Sequence, residues 1–395
     1  MDHLGRYYTQ SLFSDLLISQ ITYNNPDTVL ELGVGRGSLL RAAKSKWVDA
    51  NFVAADIDLR SVEKIKHEFP EVKIVQVNSL SSSISERLKL YVGNIDVAIC
   101  NPPYLNITRT AYHDKIFSKA KLSKCRELRI LTSDAVFLAQ NLSFLKEGGQ
   151  MGIIVPDTLI TGQEFKILRE SLVENHTIKS IIELPTNIFP KTEAKTHILF
   201  LEKGNGDLFQ NVELYKADRF GKCIDLTLVS GEKLIDRMDF NFHSFHLNRR
   251  TVDTNSTTLE SIGCEIKRGR LENKYLKAQA YPYIHTTSLE HGNPGLVIKG
   301  KIPQKILKSS LYAEPGDILL ARVGKGCIGK VSMVRGGNAL LSDCIYRIRV
   351  APKYREMVFN CLASTEGQQS LKAISRGVCA KVLSLSDLMK FKVNF

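Results

Sequence analysis

Across residues 1–200 the chain alternates short apolar runs with helical patterns, and few folds accept such an alternation. Strand-length apolar runs lie near 28–32, 51–55, 72–77, 95–100, 151–155, 178–183 and 196–202. Such runs alternating with helical patterns predict a doubly wound α/β sheet of the Rossmann-like class. Residues 135–145 read as one of its helices, closed by Lys146-Glu147-Gly148-Gly149 with glycines just past the end. Lys203-Gly204-Asn205-Gly206-Asp207 breaks the alternation, and a mixed connecting segment follows to residue 245. Residues 251–258, rich in Thr, Asn, Ser and Asp, read as a linker, and beyond them the pattern changes to short β runs and turns. Two domains are expected: an α/β domain over 1–245 and a smaller β-rich (α+β) domain over 246–395.

Two turns in the first domain carry the chemistry. Val29-Leu30-Glu31-Leu32-Gly33-Val34-Gly35-Arg36-Gly37 is an apolar strand running into glycines and then a helix. Glycines there let the backbone approach a ligand closely, and the helix start offers unpaired N–H groups. The spacing is G-x-G-x-G, unlike the G-x-G-x-x-G of dinucleotide sites. A second strand ends at Asp56-Ile57-Asp58, where an acid is placed to hold ribose hydroxyls. The fourth run, Ile95-Asp96-Val97-Ala98-Ile99-Cys100, ends in Asn101-Pro102-Pro103-Tyr104. Two prolines stiffen that turn and leave carbonyls free to accept hydrogen bonds. The Asn101 amide adds an acceptor and Tyr104 a flat face, a set suited to a planar amino group attached to a ring.

In combination these residues resemble the γ class of DNA adenine-N6 methyltransferases, a likeness that covers residues 1–200. It implies S-adenosyl-L-methionine as cofactor and adenine in double-stranded DNA as substrate. It further implies that Tyr8 and Thr9, in Gly5-Arg6-Tyr7-Tyr8-Thr9-Gln10, hold the cofactor together with Glu31, Gly33, Gly35, Asp56, Ile57, Asn78, Ser79 and Asn101. Asn78 stands where relatives often carry Asp. Asn101, Pro102 and Tyr104 become the catalytic set, and Tyr104 with Phe189 of Ile188-Phe189-Pro190-Lys191 becomes the clamp on a flipped-out base. Further on, residues 311–322, the loop with Gly324, Gly326 and Gly329, the strand pair expected over 339–350, and residues 377–388 resemble the target-recognition domain of type I restriction specificity subunits. One such unit is present. The likeness implies the modification enzyme of a restriction system, and a restriction or specificity subunit as partner.

The charge distribution points the same way. Of the chain's net +13, residues 246–395 supply all, with 24 Lys and Arg against 11 Asp and Glu. A basic domain beside a neutral one calls for a polyanion. Lys267, Arg268, Arg270, Arg322, Lys325 and Lys330 are the expected DNA contacts. The eight cysteines include no C-x-x-C pair, so neither zinc nor another metal is expected. With no long apolar run and no signal-peptide pattern, a cytoplasmic protein without a membrane association is expected. Pro156-Asp157 with Glu164-Phe165-Lys166 mimics a nuclease signature, but residues 163–172 read as a helix where a nuclease needs strands. His113-Asp114 reads as loop surface. Rival readings are methylation of RNA or of a protein glutamine amide, which also use Asn-Pro-Pro-Tyr, and a catalytically silent DNA-recognition subunit.

Overall fold

The computed structural model describes residues 11–186, 188, 195–248, 256–324, 326–377 and 381–394. The chain divides into two compact units, Met1–His243 and Ser244–Phe395. In the first, nine strands form one sheet: β1 Thr28–Leu32, β2 Asn51–Asp56, β3 Lys73–Gln76, β4 Ile95–Cys100, β5 Leu145–Pro156, β6 Thr177–Glu183, β7 Thr196–Glu202, β8 Asn211–Ala217 and β9 Cys223–Ser230. Their order is β3-β2-β1-β4-β5-β7-β6-β8-β9. The segment from β3 to β5 is parallel throughout, while β7 runs antiparallel to both β5 and β6. Strand order reverses between β1 and β4, so a crevice opens beyond the carboxyl ends of those two strands.

Side-chain alternation on the central strands explains why helices cover both faces. Val29, Phe52, Ala54, Val97 and Ile99 join one core with the helices Ser11–Gln20, Ser38–Lys46 and Leu59–Glu68 and the residue after the second of them, which contribute Leu17, Leu40, Ile65 and Trp47. Leu30, Leu32, Ala98 and Cys100 alternate with those residues and are fully buried as well. Helix Ser133–Phe144 packs against β1 and β4, and all twelve of its residues are buried. A helix wrapped in protein on every side needs no polar face.

Several expectations are corrected. The segment after Asp207 is not a mixed connector: it contributes β8 and β9 and widens the sheet. Helix Ser133–Phe144 ends before Gly148 and Gly149 as expected, but those glycines do not cap it: they lie inside β5. A Cβ on Gly149 would come 3.0 Å from the Ile95 carbonyl oxygen, so glycine serves close strand packing there. His113 is not loop surface: it is buried in the helix Ala111–Lys119.

The second unit is β-rich. Its strands are β10 Ser256–Thr258, β11 Glu265–Arg268, β12 Tyr283–Ile284, β13 Asn293–Val297, β14 Tyr312–Ala313, β15 Ile318–Ala321, β16 Val331–Gly336, β17 Ala339–Leu341, β18 Ile345–Arg349 and β19 Lys392–Asn394. They form sheets ordered β11-β18-β15-β16-β13, β12-β17-β14 and β10-β19. Residues 339–350 therefore do not form a strand pair, because β17 and β18 belong to different sheets. The last residues of the expected linker, 256–258, are a strand paired with β19, and 251–255 lie outside the described residues. Buried Leu319, Ala321, Val334, Leu341 and Ile345 form a core shared by the two larger sheets.

Candidate functional site

The crevice beyond β1 and β4 is built by the two turns singled out in the sequence. Gly33, Gly35 and Gly37 all take positive φ, at 75°, 51° and 77°, a region that L side chains rarely adopt. Gly33 and Val34 donate backbone N–H groups to the Ala55 carbonyl at 2.8 and 3.2 Å. Gly35 N–H donates to Asp56 Oδ2 at 2.7 Å, and Asp58 N–H donates to Asp56 Oδ1 at 2.8 Å. Asp56 thus ties the end of β2 to the glycine turn. At Gly37 a Cβ would lie 2.5 Å from Ile65 Cδ1 and would be strained at its positive φ, so glycine suits the start of helix Ser38–Lys46.

Asn101-Pro102-Pro103-Tyr104 leaves β4 beside this turn. Ser133, at the start of its buried helix and itself fully buried, fastens it. Its hydroxyl donates to the Pro103 carbonyl at 2.5 Å and accepts from Leu105 N–H at 2.9 Å, while its own N–H donates to the Leu105 carbonyl at 2.8 Å. The half-buried Tyr104 brings its hydroxyl within 3.3 Å of Asn101 Oδ1 and 3.4 Å of the Ile154 carbonyl. Pro102 is buried.

Between the two turns lies a pocket of about 180 Å³. Its wall includes every described residue expected to hold the cofactor: Glu31, Gly33, Gly35, Asp56, Ile57, Asn78, Ser79 and Asn101. Tyr104 and Pro102 are not part of that wall, whereas Pro103 is. Phe137, from the buried helix, also lines it, with its ring 3.5 Å from where a Gly33 Cβ would stand. Leu80 lines it too, and the His113 imidazole holds the Leu80 carbonyl at 3.1 Å. His113 Nδ1 accepts from Thr110 N–H at 3.1 Å, which makes Nε2 the protonated nitrogen. Asn78 Oδ1 accepts from Leu80 N–H at 3.0 Å and so shapes the same stretch. Ser133, Phe137 and His113 carry no motif that sequence reasoning could have caught.

Glu31 sets the electrostatics of the pocket. Burial first, then the Asp56 charge, push its carboxyl well above the ordinary carboxylate range, against the Arg41 charge and the Leu40 N–H. Its Oε2 has no hydrogen-bond partner among the described residues. An orphaned carboxylate oxygen in a pocket wall is an acceptor in want of a cationic or N–H donor.

Other expected residues fall elsewhere. Asp157 is committed to His197 Nε2 at 3.0 Å and Thr161 Oγ1 at 3.0 Å, and Lys166 pairs with Asp236 at 2.8 Å, so the nuclease-like residues do not converge. In the second unit Lys267 pairs with Glu265 at 2.7 Å. Arg268 and Arg322 converge on the Asp343 carbonyl, at 3.0 and 3.1 Å. Arg270 is exposed and Lys330 half-buried. Tyr8, Thr9, Phe189 and Lys325 lie outside the described residues. Among the described residues, no helix is long and apolar enough to cross a membrane.

Comparison with known proteins gives a family and a fold. The profile of the N-6 DNA Methylase family matches residues 2–227. The type II methyltransferase M.BsuBI of Bacillus subtilis is 24% identical over 277 residues, which span 64% of this chain and 54% of that protein. A tRNA (guanine-N(7)-)-methyltransferase of Clostridium botulinum is 30% identical over 142 residues, 32% of this chain and 64% of its own length. Among solved structures, the type IIG restriction endonuclease BpuSI matches at a TM-score of 0.50 and 14% identity, over 100% of this chain and 59% of that one. The chain therefore spans less than two thirds of each of these proteins, and the last likeness concerns fold alone.

Proposed function

The chain belongs to the N-6 DNA methylase family, and from that premise we propose that it methylates adenine N6 in double-stranded DNA with S-adenosyl-L-methionine as donor. The observation that carries this reading is a single pocket wall shared by Asn101, Glu31 and Asp56, with the Asn-Pro-Pro-Tyr turn fastened beside it. The pocket fits the cofactor: Glu31 Oε2 lacks a partner, and the glycine turn leaves room for close approach. Glu31 would accept from the donor's amino group, Asp56 and Asn78 would hold its nucleoside end, and Phe137 would offer an apolar wall. When bound, S-adenosyl-L-methionine supplies an electrophilic methyl group.

The chain's own residues prepare the acceptor. An adenine amino group is a poor nucleophile because its lone pair is delocalised into the ring. The Asn101 side-chain oxygen and the Pro102 carbonyl accept its two hydrogens, favour the sp³ form and expose the lone pair. This is positional and electrostatic catalysis, and the surplus proton leaves to water. Flipping the base out of the duplex costs roughly a few kcal/mol. Stacking on Tyr104, with Phe189 as second wall, would return about 1–3 kcal/mol per aromatic contact.

In this reading the unit from Ser244 onward recognises the duplex, the enzyme works in the cytoplasm within a restriction-modification system, and a restriction or specificity subunit is its partner. A second reading, RNA as substrate, rests on the tRNA methyltransferase relative, whose likeness covers 32% of this chain. One experiment decides between them: the 395-residue chain is given labelled donor with unmethylated duplex DNA or with tRNA, and modified bases are mapped. Label on adenine N6 in DNA supports the proposal. Label on RNA alone, or on another base, rejects it.

A further inference from the structure

Between Glu290 and Glu314 the sequence contains no acidic residue, and within that interval stand Lys299, Lys301, Lys305 and Lys308. Lys299, Lys301 and Lys305 are exposed, as is Lys308. Among the described residues none of the four has a carboxylate within ion-pair distance. In the first unit Lys121, Lys124, Lys166 and Lys179 each pair with an acid at 3.2 Å or less. Even Lys267 and Arg268, expected from sequence to meet DNA, face Glu265 and Asp343. A run of cations with no acid among them repels itself, and an anion laid along it relieves that repulsion.

The basic run is also held in place. Ile298 N–H donates to the Gly336 carbonyl at 2.8 Å, beside the edge strand β13. The chain passes so close to Gly337 that a Cβ there would lie 2.0 Å from the Ile298 carbonyl oxygen. A Cβ on Gly300 would meet Pro282 Cγ at 2.7 Å. Ile298, Ile302, Ile306 and Leu307 are half-buried among the exposed lysines, and Ile298 packs on the core of the two larger sheets. The result is an anchored segment that carries four exposed lysines.

We propose that residues 299–308 hold the phosphate backbone of the DNA duplex and set the affinity of the second unit without choosing its sequence. The proposal rests on the DNA reading above. Lysine ammonium groups on an exposed stretch, with no planar guanidinium fork within it, recognise charge rather than base edges. Arg268 and Arg322, by contrast, spend guanidinium N–H groups on the Asp343 carbonyl.

The test uses the whole 395-residue chain, a K299Q/K301Q/K305Q/K308Q variant and its all-arginine counterpart. Dissociation constants for a random-sequence duplex of about 30 base pairs and for tRNA are measured from about 50 to 300 mM KCl. The glutamine variant is expected to bind the duplex at least about tenfold more weakly at about 150 mM, with a log-log salt slope flatter by about 0.9 for each phosphate no longer neutralised. The arginine variant should match the wild type, and the methylated sequence should not change. Unchanged duplex affinity and slope overturns the proposal. So does equal weakening in both variants, which would mean packing rather than charge, or weakening on tRNA with duplex binding intact. Methyl transfer by the wild type is read in parallel: its absence on DNA rejects the functional reading, whereas an unchanged slope in an active enzyme rejects the lysine segment alone.

Discussion

Asp56 Oδ2 accepts the Gly35 backbone N–H at 2.7 Å, so the acid expected to hold ribose also clamps the turn on which the ligand would lie. Its other oxygen is engaged too, by Asp58 N–H at 2.8 Å. Removing the carboxylate should therefore do two things at once. Asp56→Ala should weaken donor binding by about 1.5–3 kcal/mol through loss of a charge-assisted bond. It should also lower the melting temperature of the ligand-free protein, since two backbone donors lose their acceptor. Calorimetry with parallel thermal melts checks this. Weaker binding at an unchanged melting temperature would mean that the carboxylate serves the ligand and not the turn.

Ser133 offers a cleaner separation of binding from turnover. Its hydroxyl joins Pro103 to Leu105 from a different element, so Ser133→Ala loosens the acceptor turn without touching the Glu31 and Asp56 side of the pocket. The orphaned Leu105 N–H should cost about 1–3 kcal/mol of stability. Turnover on DNA should fall by about 10–100-fold, as expected when reacting groups lose their alignment. Donor affinity should stay within about twofold, a change of well under about 1 kcal/mol. A fall in donor affinity that matches the fall in turnover would reassign Ser133 to general support of the pocket.

Glu31 predicts a pH signature. Its carboxyl is raised in the folded chain, so between the unfolded value of about 4.3 and the raised one the native state binds more protons than the unfolded state. Stability of the ligand-free protein should then fall as pH rises through that window. Glu31→Gln should remove this decline, stabilising the ligand-free protein at neutral pH while weakening donor binding. A cationic amino group placed against Glu31 would also favour its charged form, so donor binding should release protons. Calorimetry in buffers of different ionisation enthalpy measures that release. No release at a pH below the raised value would remove Glu31 from contact with the ligand's charge.

What was legible in the sequence was local. The glycine turn, the acid closing β2 and Asn101-Pro102-Pro103-Tyr104 each lie within one strand and the turn after it, and their residue types dictate their geometry. Ser133, Phe137 and His113 reach the same pocket by long-range contacts. Ser133 stands 28 residues from Leu105, and an unremarkable serine before a helix does not announce its partner. The strand β9 escapes sequence reading for a different reason. Ile224, Leu226 and Leu228 alternate as a strand should, but they face solvent at 59%, 49% and 54% exposure, so the segment lacks the buried run that marked the others. Gly148 and Gly149 mislead because glycine after a helix more often caps it than enters a strand.

The last prediction concerns a buried charge group at the same edge of the sheet. Asp157 follows β5, Glu183 ends β6, and Lys195 and His197 lie at the start of β7. Lys195 Nζ is 2.9 Å from Glu183 and 3.5 Å from Asp157, and His197 donates to Asp157 at 3.0 Å. Burial alone would raise the Asp157 carboxyl, but the His197 hydrogen bond and the Lys195 charge outweigh it and hold the carboxyl well below the ordinary range. For Lys195, burial alone would depress the ammonium, and the charges of Glu183 and Asp157 hold it above its usual value instead. The signs fix the pH window. The Asp157 contribution is fully present above the unfolded carboxylate value of about 3.9 and is lost as pH falls through its depressed native value. The Lys195 contribution is present below about 10.4 and fades as pH rises through its raised value. Asp157→Asn should therefore cost about 3 kcal/mol at neutral pH, at the low end for a broken buried pair because Glu183 still faces Lys195. Urea unfolding at neutral pH and below about pH 4 checks it: the gap between wild type and variant should narrow in acid. A gap that stays constant with pH would show that Asp157 contributes packing and hydrogen bonds there, and not charge.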